Sequence, residues 1–440
     1  MGQFATYSFN TTVSQFAILA LSLGTSIITA RCLGPEGKGE LTLLLLIPLF
    51  ATTFGRLGLG HATNYYASRT SPTRLIVNCL ILSLILSIGV TAVCVPTIYL
   101  LRETFFKTIN VRLLMTISFI TPFYILNYHF ICIIQGLYKI NLMNVLFVVQ
   151  SGVNLALLIA LLIVKDYGLN GAVIAAISAL LISVLVRAGF LLKEIETSEI
   201  RVDGDVIRGL LSFGLKSHVG NILKDITYRG DILLISYFLN PATVGLYIVA
   251  MHVAEVIWKI PESVGSVLLP RVSQMEMEEA RRFTPIVCKL VVLPVLITCI
   301  LLFLFGKILI TFAFGHAFLP SATVLLILLP GIFFFAVWKI IANALIAQGH
   351  PSKYSVTSGV SLVTMLLFDI ILIPRYGIQG AALASTLSYT LATFTIIFIY
   401  TRLTDSLITE MFLPVRADFF YYKDFFKSLG GKLFGITSGR

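Results

Sequence analysis

This sequence predicts an all-α polytopic membrane protein. Twelve transmembrane helices form two six-helix lobes related by a pseudo-two-fold axis along the membrane normal. Three observations point there. Of the 440 residues, 57% are hydrophobic and only 12% charged, where a soluble domain carries about 25% charged residues. Apolar stretches of bilayer-spanning length recur along the whole chain. Short motifs also return at a nearly constant offset, the mark of an internal duplication.

The spans come first. About 20 apolar residues cross a bilayer. Twelve segments reach that length, near 9–31, 40–66, 75–100, 112–135, 143–164, 171–192, 210–239, 243–269, 285–305, 320–347, 354–373 and 378–401. Pro48, Pro122, Pro261, Pro294 and Pro330 fall inside spans, where neighbouring helices or water satisfy the freed carbonyls, often beside a cavity.

Between the first two spans stands the break Leu33-Gly34-Pro35 with Gly39, which returns as Leu239-Asn240-Pro241 with Gly245, 206 positions on. Tyr167-Gly168-Leu169-Asn170-Gly171-Ala172 returns after 209 positions as Tyr376-Gly377-Ile378-Gln379-Gly380-Ala381, and Gln135-Gly136 after 213 as Gln348-Gly349. Six spans per half is an even number, so both halves enter the membrane from the same side. Their symmetry axis then lies along the membrane normal. The expected organisation is a first lobe over 1–192, a polar cytoplasmic linker over 193–208, a second lobe over 209–401 and a tail over 402–440. Within the tail, residues 418–429 place Phe419, Tyr422, Phe425, Phe426 and Leu429 on one helical face and Lys423, Asp424 and Lys427 on the other. That reads as an amphipathic helix on the membrane surface, or else as a disordered tail.

The net charge of +11 would suggest nucleic acid in a soluble chain. Here the positive-inside rule accounts for it. With the N-terminus cytoplasmic, 16 of the 32 Lys and Arg fall in cytoplasmic segments, 6 in external loops and 10 within spans. Without the tail the ratio is still 10 to 6, so both termini are expected in the cytoplasm. No cleavable signal is expected either, because the first apolar segment is long and has no basic leader. The six cysteines form no CxxC and read as small core residues.

Ionisable groups inside a membrane are costly and so are functional candidates. The second span carries Arg56, with Thr52, Thr53, Gly60, Thr63 and Asn64 on the same side of a helical wheel. No acidic residue lies within a turn of it. The eighth span places His252, Glu255, Lys259 and Glu262 on one arc, and Glu262 stands 206 positions after Arg56, so the two are repeat equivalents. The seventh span has Lys216, Lys224 and Asp231 on one face. Asp225 and Arg229 sit at i, i+4 on another, as a buried pair or a ligand site. Lys339 and Asn343 lie in the tenth span, Asp369 in the eleventh, and Arg31 at the outer end of the first, where it either faces the cavity or snorkels to the interface. Candidate anion contacts are therefore Arg56, Lys224, Lys259, Lys339, Arg31 and Arg229. Candidates for ion coupling are Asp231, Glu255 and Glu262. Thr53, Asn64 and His252 are the polar cavity residues, with His252 also readable as a helix-to-helix hydrogen-bond partner. No metalloprotease, Walker or nucleophile-elbow motif is present, so no catalytic residue, metal or cofactor is expected beyond a coupling Na+ or H+.

Several of these turns together resemble bacterial polysaccharide flippases. They are Leu33-Gly34-Pro35-Glu36-Gly37-Lys38-Gly39, Gly58-Leu59-Gly60-His61-Ala62 with Tyr65-Tyr66, Arg229-Gly230-Asp231, Val244-Gly245-Leu246-Tyr247, Leu269-Pro270-Arg271-Val272-Ser273 and Ile373-Pro374-Arg375-Tyr376-Gly377. The resemblance spans residues 5–400 and is to the O-antigen, or Wzx-like, branch of the multidrug/oligosaccharidyl-lipid/polysaccharide exporter superfamily. It implies two six-helix lobes around a cationic cavity. It implies a lipid-linked oligosaccharide as cargo, carried on polyprenyl diphosphate to the outer leaflet of the bacterial cytoplasmic (inner) membrane by alternating access. Membrane lipids and other polysaccharide-assembly membrane proteins are the expected partners. Three other readings remain open. A multidrug cation antiporter would expose a more apolar or acidic cavity. A lipid II flippase usually has two further helices. A glycan polymerase would use a large external loop, and no external loop here exceeds about 15 residues, well short of a domain.

Overall fold

The computed structural model describes residues 2–67, 69–272, 277–404 and 411. Among them every regular element is a helix. Helix α1 (Gly2–Gly55) is followed by the short α2 (Leu59–Ala67), α3 (Pro72–Phe105), α4 (Val111–Gly136) and α5 (Ile140–Leu158), which runs on into a π-helical turn over Ile159–Val164. Then come α6 (Gly168–Lys193), α7 (Gly204–Phe238), α8 (Pro241–Val272), α9 (Met277–Phe314), α10 (Leu319–Ala347) and α11 (Pro351–Thr404).

Two of these are hairpins. A straight helix of 54 residues would run about 80 Å, far beyond the roughly 30 Å hydrocarbon core. Helix α1 breaks at Gly34, where φ is 66°, a left-handed conformation open mainly to glycine. Pro35 follows and cannot continue the hydrogen-bond ladder. The chain then doubles back: Lys38 Nζ donates to Thr29 Oγ1 at 2.7 Å, a contact that a straight helix would not allow. Helix α11 repeats the device at Gly377, where φ is 59°. By length and composition nine stretches among the described residues can cross a membrane. Counting both arms of α1 and of α11, and adding α7 with its charged face, recovers the twelve spans.

The second span is not one helix. The chain leaves helical geometry after Gly55, passes through Leu57 with φ 41°, and restarts at Leu59 as α2. A helical wheel carried across this break is therefore not valid. Thr53 and Arg56 do share a partner, described below, but Asn64 lies beyond the break and is exposed.

The chain forms two compact units. Unit 1 comprises Met1–His252, Ile310–Ser321 and Ile370–Ala381, and unit 2 the remainder. In unit 1 the core packs Leu75, Ile76 and Leu82 of α3 against Ile133 and Ile134 of α4 and Leu180 of α6. The backbones of the two repeated breaks cross within this unit. A Cβ on Gly39 would overlap the carbonyl of Pro241, and one on Gly245 would overlap the carbonyl of Pro35. The reciprocity is what a two-fold relation between positions 206 apart requires, and only hydrogen fits at either site. Unit 2 is centred on aromatic residues. Phe335 stacks on Trp338 with centroids 4.6 Å apart, and Tyr389 packs against Phe335 at 4.5 Å.

The segment after α6 is pinned rather than loose. Glu196 N donates to Thr73 Oγ1 at 3.0 Å, and Asp203 N donates to Asn78 Oδ1 at 2.8 Å. Asp203 itself caps α7, accepting from Asp205 N and Val206 N. Residues 418–429 lie outside the described residues.

Candidate functional site

The charged residues inside the helical bundle sort into three groups. The first, in unit 1, is built on Arg56. Its Nη2 donates to Asp225 Oδ2 at 2.6 Å and to the Asn221 carbonyl at 3.3 Å. Thr53 Oγ1 donates to the same Asp225 oxygen at 2.7 Å, and Lys224 Nζ lies 3.9 Å from Oδ1. The Arg56 guanidinium also stands 5.9 Å from the ring centroid of Tyr128, within cation–π range. Only 13% of the Arg56 side chain and 19% of the Asp225 side chain are exposed. Asp225 thus pairs with Arg56, in the break between α1 and α2, as well as standing i, i+4 to Arg229. The break after Gly55 aims Arg56 at α7.

The second group lies in unit 2. Glu262 accepts from Lys339 Nζ at 2.7 Å and from Lys259 Nζ at 2.8 Å. Lys339 also stands 4.7 Å from the Trp258 ring centroid, and the Glu255 charge acts on it as well. Glu262 is 44% exposed, Lys259 51% and Lys339 only 9%.

The third group sits in unit 1 at the end that carries the breaks. Lys38 is 6% exposed, and its Nζ donates to Thr29 Oγ1 and, at 3.3 Å, to Ser26 Oγ. Ser26 Oγ lies 2.9 Å from Nδ1 of His252 on α8. Arg31, close by in sequence, donates through Nε to the Ala313 carbonyl at 2.8 Å and through Nη2 to that of Phe312. Both carbonyls close the C-terminal turn of α9, where a cation is favoured. Asp231 is buried, accepts from the Tyr247 hydroxyl at 2.5 Å, and accepts from its neighbour Ile232 N. Arg229 adds its charge to the surroundings of His252.

Two charged residues were not singled out by the spacing argument. Lys38 reads as part of an external turn, yet the hairpin folds it inward between the arms of α1. Arg187 on α6 donates to Asn127 Oδ1, Ser183 Oγ and Gln150 Oε1. The one signal for Arg187 was a lone cation in an apolar span. Among the described residues no cluster of His, Cys, Asp and Glu has the arrangement of a metal site.

Three comparisons place the chain among known proteins. A family profile described as "Polysaccharide biosynthesis protein" matches residues 6–276. A candidate O-antigen transporter of Shigella flexneri is 25% identical over 396 residues, covering 85% of this chain and 92% of that protein. A candidate low-salt glycan biosynthesis flippase of Haloferax volcanii is 28% identical over 223 residues, covering 50% of this chain and 47% of that one. Among solved structures, the lipid II flippase MurJ in an inward closed conformation superposes with a TM-score of 0.76 at 14% identity, covering 96% of this chain and 97% of that one. An inward-facing multidrug transporter of the MATE family also scores 0.76, at 16% identity, covering 88% and 94%. At such identities the two structures establish the fold alone, which this chain shares with MurJ and with the MATE transporter.

Proposed function

We propose, from the premise that this chain belongs to the polysaccharide biosynthesis protein family, that it is a flippase for a polyprenyl-diphosphate-linked oligosaccharide. It carries the cargo from the inner to the outer leaflet of a bacterial cytoplasmic membrane by alternating access. No covalent bond in the cargo is made or broken. The working lobes on this reading are 1–192 and 209–401, with the 193–208 linker and both termini in the cytoplasm. Membrane lipids surround it and other polysaccharide-assembly membrane proteins supply and receive its cargo.

The observation that carries the reading is the make-up of the two charged groups built on Arg56 and on Glu262, which stand 206 positions apart at equivalent points of the repeat. Each holds one carboxylate between two cations: Asp225 between Arg56 and Lys224, and Glu262 between Lys339 and Lys259. Both groups thus present cations that an anion can engage, Arg56 with Lys224 and Lys339 with Lys259. A diphosphate offers oxygens in the geometry a guanidinium prefers, so it can take the place of the carboxylate on Arg56 without leaving either charge bare. Thr53 supplies a hydroxyl for sugar or phosphate. Asp231, Glu255 and Glu262 stay candidates for coupling to Na+ or H+.

A multidrug cation antiporter is the second reading, favoured by the fold shared with the MATE transporter. An organic cation would meet two cations beside the carboxylate of each group. Deleting the gene separates the two. The flippase reading expects lipid-linked oligosaccharide to accumulate on the cytoplasmic leaflet and surface glycan to disappear. Unchanged glycan with increased sensitivity to cationic drugs would establish the antiporter.

A further inference from the structure

We propose that the break between α1 and α2 is a phosphate cradle for one phosphoryl group of the cargo's diphosphate. Its donors are the backbone N–H groups of Leu57 and Gly58, Arg56 Nε, His129 and His218, all in unit 1. This deepens the flippase reading and rests on it, and it makes the break the part of the site that tells a diphosphate from a monophosphate. The backbone comes first. Arg56 N donates to the Thr52 carbonyl at 2.9 Å, and Leu59 N donates to the Arg56 carbonyl at 2.8 Å. Between them Leu57 and Gly58 take left-handed φ values of 41° and 70°, and among the described residues no backbone carbonyl accepts from either N–H. Successive N–H groups in a turn form a concave place for an anion.

The turn alone would not make a site, but buried side chains add donors to it. Arg56 Nε is buried and makes no hydrogen bond, while Nη2 of the same guanidinium is held by Asp225. His129 on α4 lies against the Arg56 backbone, is 2% exposed, and has no hydrogen-bond partner at either ring nitrogen. His218 on α7 is 8% exposed, and its Nδ1 has no partner. The Arg56 charge acts on it. Its place follows from the helix. Gly214, His218, Asn221 and Asp225 share one face of α7, spaced by three or four residues. A Cβ on Gly214 would overlap the Leu57 carbonyl, and the Asn221 carbonyl accepts from Arg56 Nη2. His218 stands one turn from each, between two points at which α7 touches the break.

Buried donors without acceptors mark a place for water or an ion. Either tautomer of a histidine keeps one N–H to donate, so the count of donors does not depend on how the two rings are protonated. A phosphoryl group brings negative charge and oxygens that only accept, which suits donors beside a guanidinium. The two phosphoryl groups of a diphosphate share a bridging oxygen and must sit side by side. Arg56 offers two neighbouring places, at Nη2, where Asp225 now stands, and at Nε, and its planar fork is built for such double contact. A lipid monophosphate fills one of them. The cradle is what rewards the second phosphoryl group, and no bond in the cargo changes.

The test uses the purified full-length protein. Native mass spectrometry compares polyprenyl diphosphate with polyprenyl monophosphate in wild type, His129→Phe, His218→Phe and the double variant. Wild type should bind the diphosphate roughly tenfold or more tightly than the monophosphate, the worth of a charged hydrogen bond. Each phenylalanine variant should lose most of that preference while its monophosphate affinity stays at the wild-type value. His218→Gln retains an N–H donor and should keep part of the preference. Equal binding of the two lipids by wild type would overturn the proposal, as would an undiminished preference in a well-folded double variant. If the variants fold poorly, thermal melts of wild type with inorganic pyrophosphate and with orthophosphate at matched ionic strength decide. A larger rise with pyrophosphate is expected, and equal rises overturn the proposal. Lipid-linked oligosaccharide is scored separately in the deletion strain. Its accumulation, together with equal binding of the two lipids, removes the cradle alone. Its absence, together with an intact preference that His218→Phe lowers, removes the flippase reading and leaves the cradle standing.

Discussion

Asp225 in unit 1 and Glu262 in unit 2 are each held by two cations, and the two groups differ in how much water reaches them. Arg56 and Asp225 are 13% and 19% exposed, whereas Glu262 and Lys259 are 44% and 51% exposed. Equivalent repeat positions carry opposite charges, Arg56 and Glu262. Their partners are not repeat equivalents, since Asp225 lies on α7 and Lys339 on α10. Water should make the two groups unequal in strength. Coulomb attraction and the cost of stranding a charge both rise as solvent is excluded. The drier group is expected to be a structural element as well as the proposed ligand site, and the wetter one to be held more loosely.

The largest expected effect follows from breaking the drier pair. Asp225→Asn leaves the Arg56 guanidinium without its carboxylate in a poorly hydrated place, at a cost of about 3–5 kcal/mol. The protein level in membranes should fall and the detergent-solubilised protein should melt early. A melting temperature within error of wild type would mean that the pair is not structural.

The double variant Arg56→Leu with Asp225→Leu sharpens this. Replacing both members of a buried pair by apolar groups is often neutral or stabilising. Protein level and melting should return towards wild type while glycan export stays absent. Recovery of export together with stability would show that Arg56 serves packing alone.

Smaller effects are expected in unit 2. Lys339→Met leaves Glu262 with Lys259 and solvent, so the loss should be about 1.5–3 kcal/mol, that of a charged hydrogen bond. Glu262→Gln takes a carboxylate from the buried Lys339 but leaves the Glu255 charge acting on it, so its loss should stay below that of Asp225→Asn. Thermal melts of the purified variants read both. A Glu262→Gln loss as large as that of Asp225→Asn would erase the contrast between the groups.

How much of this could be read in the sequence follows from the distance between partners. The fold could be read because its signals are local. A run of apolar residues near spanning length, a Gly-Pro break and its echo 206 positions later lie within short windows. Arg56 could be picked out for the same reason, as a lone cation on an apolar stretch. Its partner could not, since Asp225 is 169 residues away. The break after Gly55 also separates Thr53 and Arg56, which meet Asp225 on α7, from Asn64 beyond it, which a helical wheel cannot foresee. Lys38 was hidden by its position in a turn. Counted among external loop residues, it is in fact folded back between the arms of its own hairpin. Charges that find partners across the bundle need the tertiary structure to be understood.

The central claim is that Arg56 exchanges Asp225 for the diphosphate of the cargo. Native mass spectrometry of the purified protein with polyprenyl diphosphate tests it most directly, in wild type, Arg56→Lys and Arg56→Ala. One charged hydrogen bond is worth about 1.5–3 kcal/mol, so Arg56→Ala should bind the lipid roughly 10- to 100-fold more weakly. Arg56→Lys should fall between, since the charge survives and the bidentate geometry does not. Wild-type affinity in a well-folded Arg56→Ala protein would contradict the account.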